Sequence, residues 1–221
     1  MPLSLWLTAG GRRYVGSILW RKTLGIIGLG NIGKAVARRA RGFDMEVLAV
    51  TPTHGGPETL RATAAFAAQH GVELVALSDL LSRSDVVSLH GRLEPGMSEE
   101  EQVIIGAPEL AVMKPTAMLI NTARQAMVDE AALAAALADG TIGGVALDDP
   151  PADMSAFQLP NVIANPHMGN RSVESMVAVF AEAVESAIAL ARGDGEAPPH
   201  LLNPEVMGSA ARAQRLRAPR L

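Results

Sequence analysis

The sequence predicts a doubly wound α/β fold, a parallel sheet with helices on both faces. Three observations carry that reading. Short apolar runs alternate with helical segments along most of the chain. Ala, Val, Leu and Ile are abundant while aromatic residues make up only 3%, as expected for a sheet covered by Ala-rich helices. A glycine-rich turn, Gly28-Leu29-Gly30-Asn31-Ile32-Gly33, stands between the first apolar run and the first helical period.

Taken in order, residues 1–22 read as an irregular arm carrying Trp6, Tyr14 and Trp20, side chains that dock on their own domain or on a partner subunit. Leu24–Ile27 reads as a buried strand, and from Ile32 a helix places Ile32, Val36, Ala40 and Phe43 on one face. Val47–Val50 is a second strand, ending in a Pro- and Gly-rich loop from Thr51 to Pro57. Glu58–His70 is helical with Gly71 as its stop, and Val72–Val75 is a short strand. Ser78 is placed to cap a brief helix before the strand Asp85–Leu89. Leu93–Gln102, with Pro95, Gly96 and the glutamates Glu99 to Glu101, reads as a solvated loop or helix start. Pro108–Met113 is a short helix, Ala117–Asn121 a strand, and Asp129–Asp139 an Ala/Leu helix stopped by Gly140. Gly144–Leu147 and Asn161–Ala164 complete the strands. Ser172–Arg192 is a long amphipathic helix ended by Gly193, followed by a Pro-rich and then basic tail.

Bulk properties narrow the function. A formal net charge of −4 gives no reason to expect nucleic acid or an anionic membrane as partner. With no cysteine, disulfides, thiolate catalysis and Cys-ligated metals are excluded, and no metal site is expected. Leu3–Ala9 is too short to span a bilayer and lacks a basic start, so a cytoplasmic protein is the expectation.

The glycine turn points to a dinucleotide. Gly28 permits the tight bend, Gly30 lets the backbone approach a pyrophosphate, and Gly33 lets helix and strand pack closely. The helix start, around Asn31 and Ile32, then offers N–H groups and a positive dipole end to the phosphates. This divides the chain into the arm 1–22, a dinucleotide-binding domain 23–170, and a C-terminal helix and tail 171–221.

In such a sheet, ligands collect at the carboxyl ends of the strands, which directs attention to Thr51, His90, Thr122, Ala123, Arg124, Asp148, Asp149 and His167. A guanidinium, two carboxylates and two imidazoles are what a carbonyl reduction needs. A histidine supplies the proton near neutral pH, a carboxylate beside it favours the imidazolium, and an arginine holds a substrate carboxylate. His90, at a strand end, reads first as a hydrogen-bonded structural histidine. His54, His70 and His200 are explained by exposure in loops or at a helix end.

Seven segments now converge on one family: Gly28 to Gly33, Ser84 to His90, Met113-Lys114-Pro115, Ile120 to Arg124, Val128 to Leu133, Ala146-Leu147-Asp148 and Asn165-Pro166-His167-Met168-Gly169. In this order and at these intervals the chain resembles the nucleotide-binding domain of the D-isomer-specific 2-hydroxyacid dehydrogenases. The likeness covers about residues 20–206, because Asn203-Pro204-Glu205-Val206 matches the family's closing motif. It implies a Rossmann-like domain in which Arg124 binds the 2-oxo acid and His167 is the general acid/base. It further implies that Asp148 contacts the nicotinamide carboxamide, that Gly169 adjoins the cofactor, and that the domain forms a homodimer.

Departures from the family pattern are informative. Asp149-Pro150 follows the Asp148 strand where the family has Glu-Pro, after a shorter loop, so Asp149 is the candidate partner of His167. Gln125 replaces the glycine after the arginine. Arg92 replaces a proline near the nicotinamide side, and the acidic segment around Glu99 is an insertion. The family's substrate domain is built largely from residues preceding the nucleotide domain, with no counterpart here. The cofactor is NAD or NADP: Thr51 stands where an acidic residue would exclude a 2′-phosphate, and no Asp or Glu lies between Glu46 and Glu58. Two readings follow, an NAD(P)-dependent oxidoreductase acting on a small 2-oxo or 2-hydroxy acid, or a dinucleotide-binding module without catalysis, active only in cofactor binding or oligomerisation.

Overall fold

The computed structural model describes residues 17–50, 56–93, 96–151 and 153–192. The predicted apolar runs form strands β1 (Thr23–Ile27), β2 (Glu46–Val50), β3 (Val72–Leu74), β4 (Val86–Leu89), β5 (Met118–Asn121), β6 (Gly144–Leu147) and β7 (Val162–Ala164). They pair in parallel in the order β3-β2-β1-β4-β5-β6-β7. The helices are α1 (Asn31–Ala40), α2 (Pro57–His70), α3 (Leu77–Arg83), α4 (Glu99–Gln102), α5 (Ala107–Val112), α6 (Glu130–Asp139) and α7 (Val173–Arg192). By contacts the chain divides into a first unit, Met1–His167, and a second, Met168–Leu221, which contains α7.

Alternation along the central strands splits the core between the two sheet faces. Leu24 and Ile26 of β1 join Val47 and Ala49 of β2 in one cluster with Ala37 and Ala40 of α1. Ile27 and Leu48 join the other, larger cluster with Leu80, Val87, Leu119 and Leu133. The chain runs outward from β1 through β2 to β3 and then returns to the other side of β1 as β4. That reversal between β1 and β4 creates the crevice in which an open α/β sheet binds ligands.

Two corrections concern helices. The core face of α1 is Gly33, Ala37 and Ala40, whereas Ile32 and Phe43, expected there, are 65% and 55% exposed. The reason is steric: a Cβ on Gly33 would stand 2.2 Å from the Gly28 carbonyl oxygen, so the helix presses against the strand with its smallest residues. The cap of α3 is Ala76 rather than Ser78, which lies inside the helix. Other termini follow their sequence signals. Gly71 and Gly140 adopt positive φ after α2 and α6, and Asp129 caps α6 by accepting the Ala132 N–H at 3.0 Å. The acidic segment forms α4, closed by a capping box between Ser98 and Glu101.

At the amino ends of the strands, Asp85 ties β1 to β4. Its carboxylate accepts the Thr23 N–H at 2.9 Å and meets Lys114 at 3.1 Å and Lys22 at 3.6 Å. Burial pushes this carboxyl up, but the Thr23 and Lys114 hydrogen bonds with the two ammonium charges outweigh it and hold it below the usual range. Among the described residues no helix is long and apolar enough to cross a membrane, and no group of three His, Cys, Asp or Glu gathers as a metal site. Trp20 is exposed with the Arg21 guanidinium 4.3 Å from its ring centre; the rest of the predicted aromatic arm, Thr51 to Gly55, Gly193 and the tail lie outside the described residues.

Because a Gly33 side chain would meet backbone and not a movable group, Gly33→Ala is expected to destabilise the fold by about 1–3 kcal/mol, read as a lower urea midpoint. An unchanged midpoint would contradict the close helix–strand approach.

Candidate active site

At the carboxyl ends of β1, β4 and β5 the chain forms an open cavity of about 740 Å³. Its floor is the glycine turn. Gly28 has φ +99°, and a Cβ there would come within 2.8 Å of the His90–Gly91 backbone, so only glycine lets β1 turn beside β4. Gly30 opens onto the cavity, with nothing within 4 Å of an added Cβ. Asn31 and Ile32 begin α1 at the rim, with no side-chain cap and no acidic residue in the first turn. The first N–H groups of a helix have no intrahelical partner, so this start suits a phosphate. The open glycine and the uncapped helix fit the pyrophosphate of a dinucleotide.

His90, Arg92, Thr122, Ala123 and Arg124 line the same cavity from the β4 and β5 sides. Half-buried His90 bonds Ser88 Oγ through Nε2 at 2.9 Å, and burial holds its imidazole below the usual histidine range. The hydrogen bond agrees with a structural histidine, and the residue also lines the cavity. Thr59, Leu60 and Thr63 of α2 complete the wall. Sequence reasoning missed these three, because nothing in the helical pattern says which turn of α2 reaches the crevice.

Arg124 is presented by a turn that Asn121 builds. Buried at the end of β5, Asn121 accepts the Ala123 N–H at 3.0 Å and donates to the Arg124 carbonyl at 2.8 Å. An Asn at a strand end that bonds its own backbone two residues on is a turn signal already present in the sequence. Arg124 Nη1 donates to the Ala123 carbonyl at 2.7 Å, which uses one of the five guanidinium N–H groups.

Asp149, past β6, joins this turn to His167, past β7. One carboxylate oxygen accepts the Gln125 N–H at 3.2 Å, and the other stands 3.1 Å from His167 Nδ1. The shortened loop and shorter acid therefore still reach the imidazole. The His167 hydrogen bond holds the Asp149 carboxyl below the usual carboxylate range; burial opposes it, while the Gln125 N–H and the His167 and Arg124 charges add to the depression. His167 itself sits at φ +54°, a left-handed conformation uncommon outside glycine. Asp148 is half-buried, and its N–H donates to the Asn121 carbonyl at 3.0 Å. Gly169 falls in the second unit.

A carboxyl whose folded pKa is depressed stabilises the fold above its unfolded value, and that contribution is lost as pH falls through the folded value. Urea midpoints of the native chain and of Asp149→Asn, compared as pH drops below about 3.9, are thus expected to converge. A gap independent of pH would contradict the Asp149–His167 contact.

Comparison with known proteins agrees with this geometry. The family described as D-isomer specific 2-hydroxyacid dehydrogenase, NAD binding domain, matches residues 4–169. A glyoxylate reductase of Thermococcus litoralis is 39% identical over 201 residues, covering 89% of this chain and 56% of that protein. Among solved structures, a glyoxylate reductase from Paecilomyes thermophila is similar with a TM-score of 0.70 and 32% identity, over 89% of this chain and 57% of that one. D-lactate dehydrogenase with NAD+ from Lactobacillus jensenii gives a TM-score of 0.67 and 30% identity, over 81% of this chain and 55% of that one. The chain spans somewhat over half the length of the glyoxylate reductases it matches. With its glycine turn, Arg124 turn and His167 on one sheet edge, the chain belongs to the D-isomer specific 2-hydroxyacid dehydrogenases, in their NAD-binding domain.

Proposed function

We propose that this chain carries out hydride transfer between a nicotinamide dinucleotide and a small 2-oxo or 2-hydroxy acid, with Arg124, Asp149 and His167 as its catalytic residues. The observation that carries the reading is the Asp149 carboxylate, which bonds the backbone beside Arg124 and the His167 ring at once. The bound dinucleotide supplies the hydride in reduction. Arg124 holds the substrate carboxylate and polarises the adjoining carbonyl. With Nδ1 of His167 engaged by Asp149, Nε2 is the atom that gives the proton to the carbonyl oxygen, and takes it back in the oxidative direction. Asp149 stabilises the imidazolium and fixes the ring's orientation.

Backbone N–H groups of Asn31 and Ile32 at the start of α1 hold the pyrophosphate, with Gly30 giving it room and Gly28 and Gly33 shaping the turn and the helix–strand packing behind it. His90, Arg92, Thr122, Ala123 and Asp148 flank the cofactor. NAD and NADP are both accommodated, since Thr51 leaves no carboxylate after β2 to repel a 2′-phosphate. Glyoxylate, the substrate named for the similar reductases, is the first acid to test. The protein acts in the cytoplasm as a homodimer, the dimer being what the family resemblance implies.

A second reading, cofactor binding without turnover, is favoured by the exposure of the pair: the His167 side chain is 53% accessible and that of Asp149 29%. Oxidation of NADH and NADPH with glyoxylate or hydroxypyruvate, set beside direct cofactor titration, separates the two. Turnover is expected, with His167→Ala lowering kcat by about 10²–10⁴-fold at unchanged cofactor affinity. Gly30→Ala is expected to weaken cofactor binding at least about tenfold while leaving the urea midpoint unmoved. Cofactor binding without turnover in the native chain would establish the second reading.

A further inference from the structure

Beside the Asp149–His167 pair the side chains of Gln125 and Glu130 meet. Gln125, where the family pattern has glycine, donates its side-chain amide Nε2 to Glu130 Oε1. Glu130 is the first residue of α6, whose start is fixed by the Asp129 cap. We propose that Glu130 and Gln125 form a clamp that positions the Asp149 carboxylate, Glu130 acting through the main chain of Gln125.

The need for a clamp follows from chain length. Aspartate is one methylene shorter than the glutamate of the family pattern, so both of its oxygens require fixed partners if one is to meet His167. The second oxygen takes the Gln125 N–H at 3.2 Å. The direction of that N–H is the direction of the peptide plane between Arg124 and Gln125. On one side of the plane, Asn121 Nδ2 donates to the Arg124 carbonyl at 2.8 Å. On the other side, Gln125 is tethered through its amide to Glu130. A glycine there would have no tether. The Glu130 carboxylate is in turn well placed in the first turn of α6, where the helix dipole favours negative charge.

Packing supports the same conclusion. Gln125, Glu130 and Asp149 surround, with Pro151 and Phe157, a space of only about 10 Å³. The three side chains therefore border one small space, in which a change at Gln125 or Glu130 is next to the Asp149 carboxylate. The groups around Asp149 are His167, the Gln125 N–H, the Arg124 charge and, bordering the same small space, the Glu130 carboxylate, so a loosened Gln125 acts directly on the carboxyl. That this matters for proton transfer rests on the function proposed above; the clamp itself does not.

The test follows the Asp149 carboxyl by carbon NMR through an acid titration of the full chain, native and with Gln125→Ala, Glu130→Ala or Glu130→Gln. In Gln125→Ala and Glu130→Ala the midpoint is expected to rise toward that of an ordinary aspartate. Glu130→Gln, which keeps an oxygen acceptor and removes a like charge, is expected to stay at or below the native value. With glyoxylate, the two alanine variants should lose kcat several-fold at unchanged cofactor affinity. A native midpoint in both alanine variants would overturn the clamp, and should Glu130→Ala fail to fold, Gln125→Ala decides alone. If the native chain shows no turnover, the proposed function fails while the titration still decides the clamp.

Discussion

The contact on which the site depends is that between the Gly33 Cα and the Gly28 carbonyl oxygen, so close that a Cβ would stand 2.2 Å away. It brings α1 onto β1 immediately after the strand ends. The start of the helix therefore faces the crevice created where the sheet order reverses between β1 and β4. Gly28 completes the constraint from the other side, since its positive φ and its approach to the His90–Gly91 backbone leave no space for a side chain. A strand, a helix start and a neighbouring strand end are thereby locked into one anion-accepting rim. Gly30 leaves that rim open to the cavity, with nothing within 4 Å of an added Cβ.

The chemistry is assembled by a second, weaker device. Three groups from distant points in sequence meet at the carboxyl edge: the Arg124 turn after β5, Asp149 after β6 and His167 after β7. None of these connections is long, and hydrogen bonds rather than apolar burial hold them. Asn121 shapes the arginine turn from below, Asp149 reaches across to it, and His167 completes the chain. Such a polar network is easily weakened by one lost partner, because each carboxylate or amide left without a mate bears its own desolvation cost. Burial of Leu119, Val145 and Leu147 keeps the strands beneath it rigid.

Much of this architecture was legible in the residues. Apolar runs bounded by glycine, asparagine and aspartate marked the strands, and Gly71, Gly140 and Asp129 marked helix ends by their backbone preferences. The buried face of α1 was not legible from hydrophobicity, because close packing there uses Gly33, Ala37 and Ala40 and leaves Ile32 at the cavity rim. Of the site, Arg124 and His167 stood out by motif. The reach of Asp149 could be judged only in three dimensions, since it depends on the turn at Gln125 and on the left-handed backbone of His167. The Gln125–Glu130 bond escaped notice because neither residue type is distinctive and their meeting depends on the short 3₁₀ turn Gln125–Met127.

The central claim is that a nicotinamide dinucleotide lies across the carboxyl edge of the sheet with its pyrophosphate on the glycine turn. Backbone amide chemical shifts of the full chain, followed by nitrogen–proton NMR as NADH is added, test it most directly. Large shifts are expected at Gly30, Asn31, Ile32 and Gly33, with smaller ones at His90, Thr122 and Asp148, and none at Thr23 or Asp85 on the opposite edge. Saturating NADH that leaves the Gly30–Gly33 amides unmoved, or that perturbs the Asp85 edge instead, would contradict it.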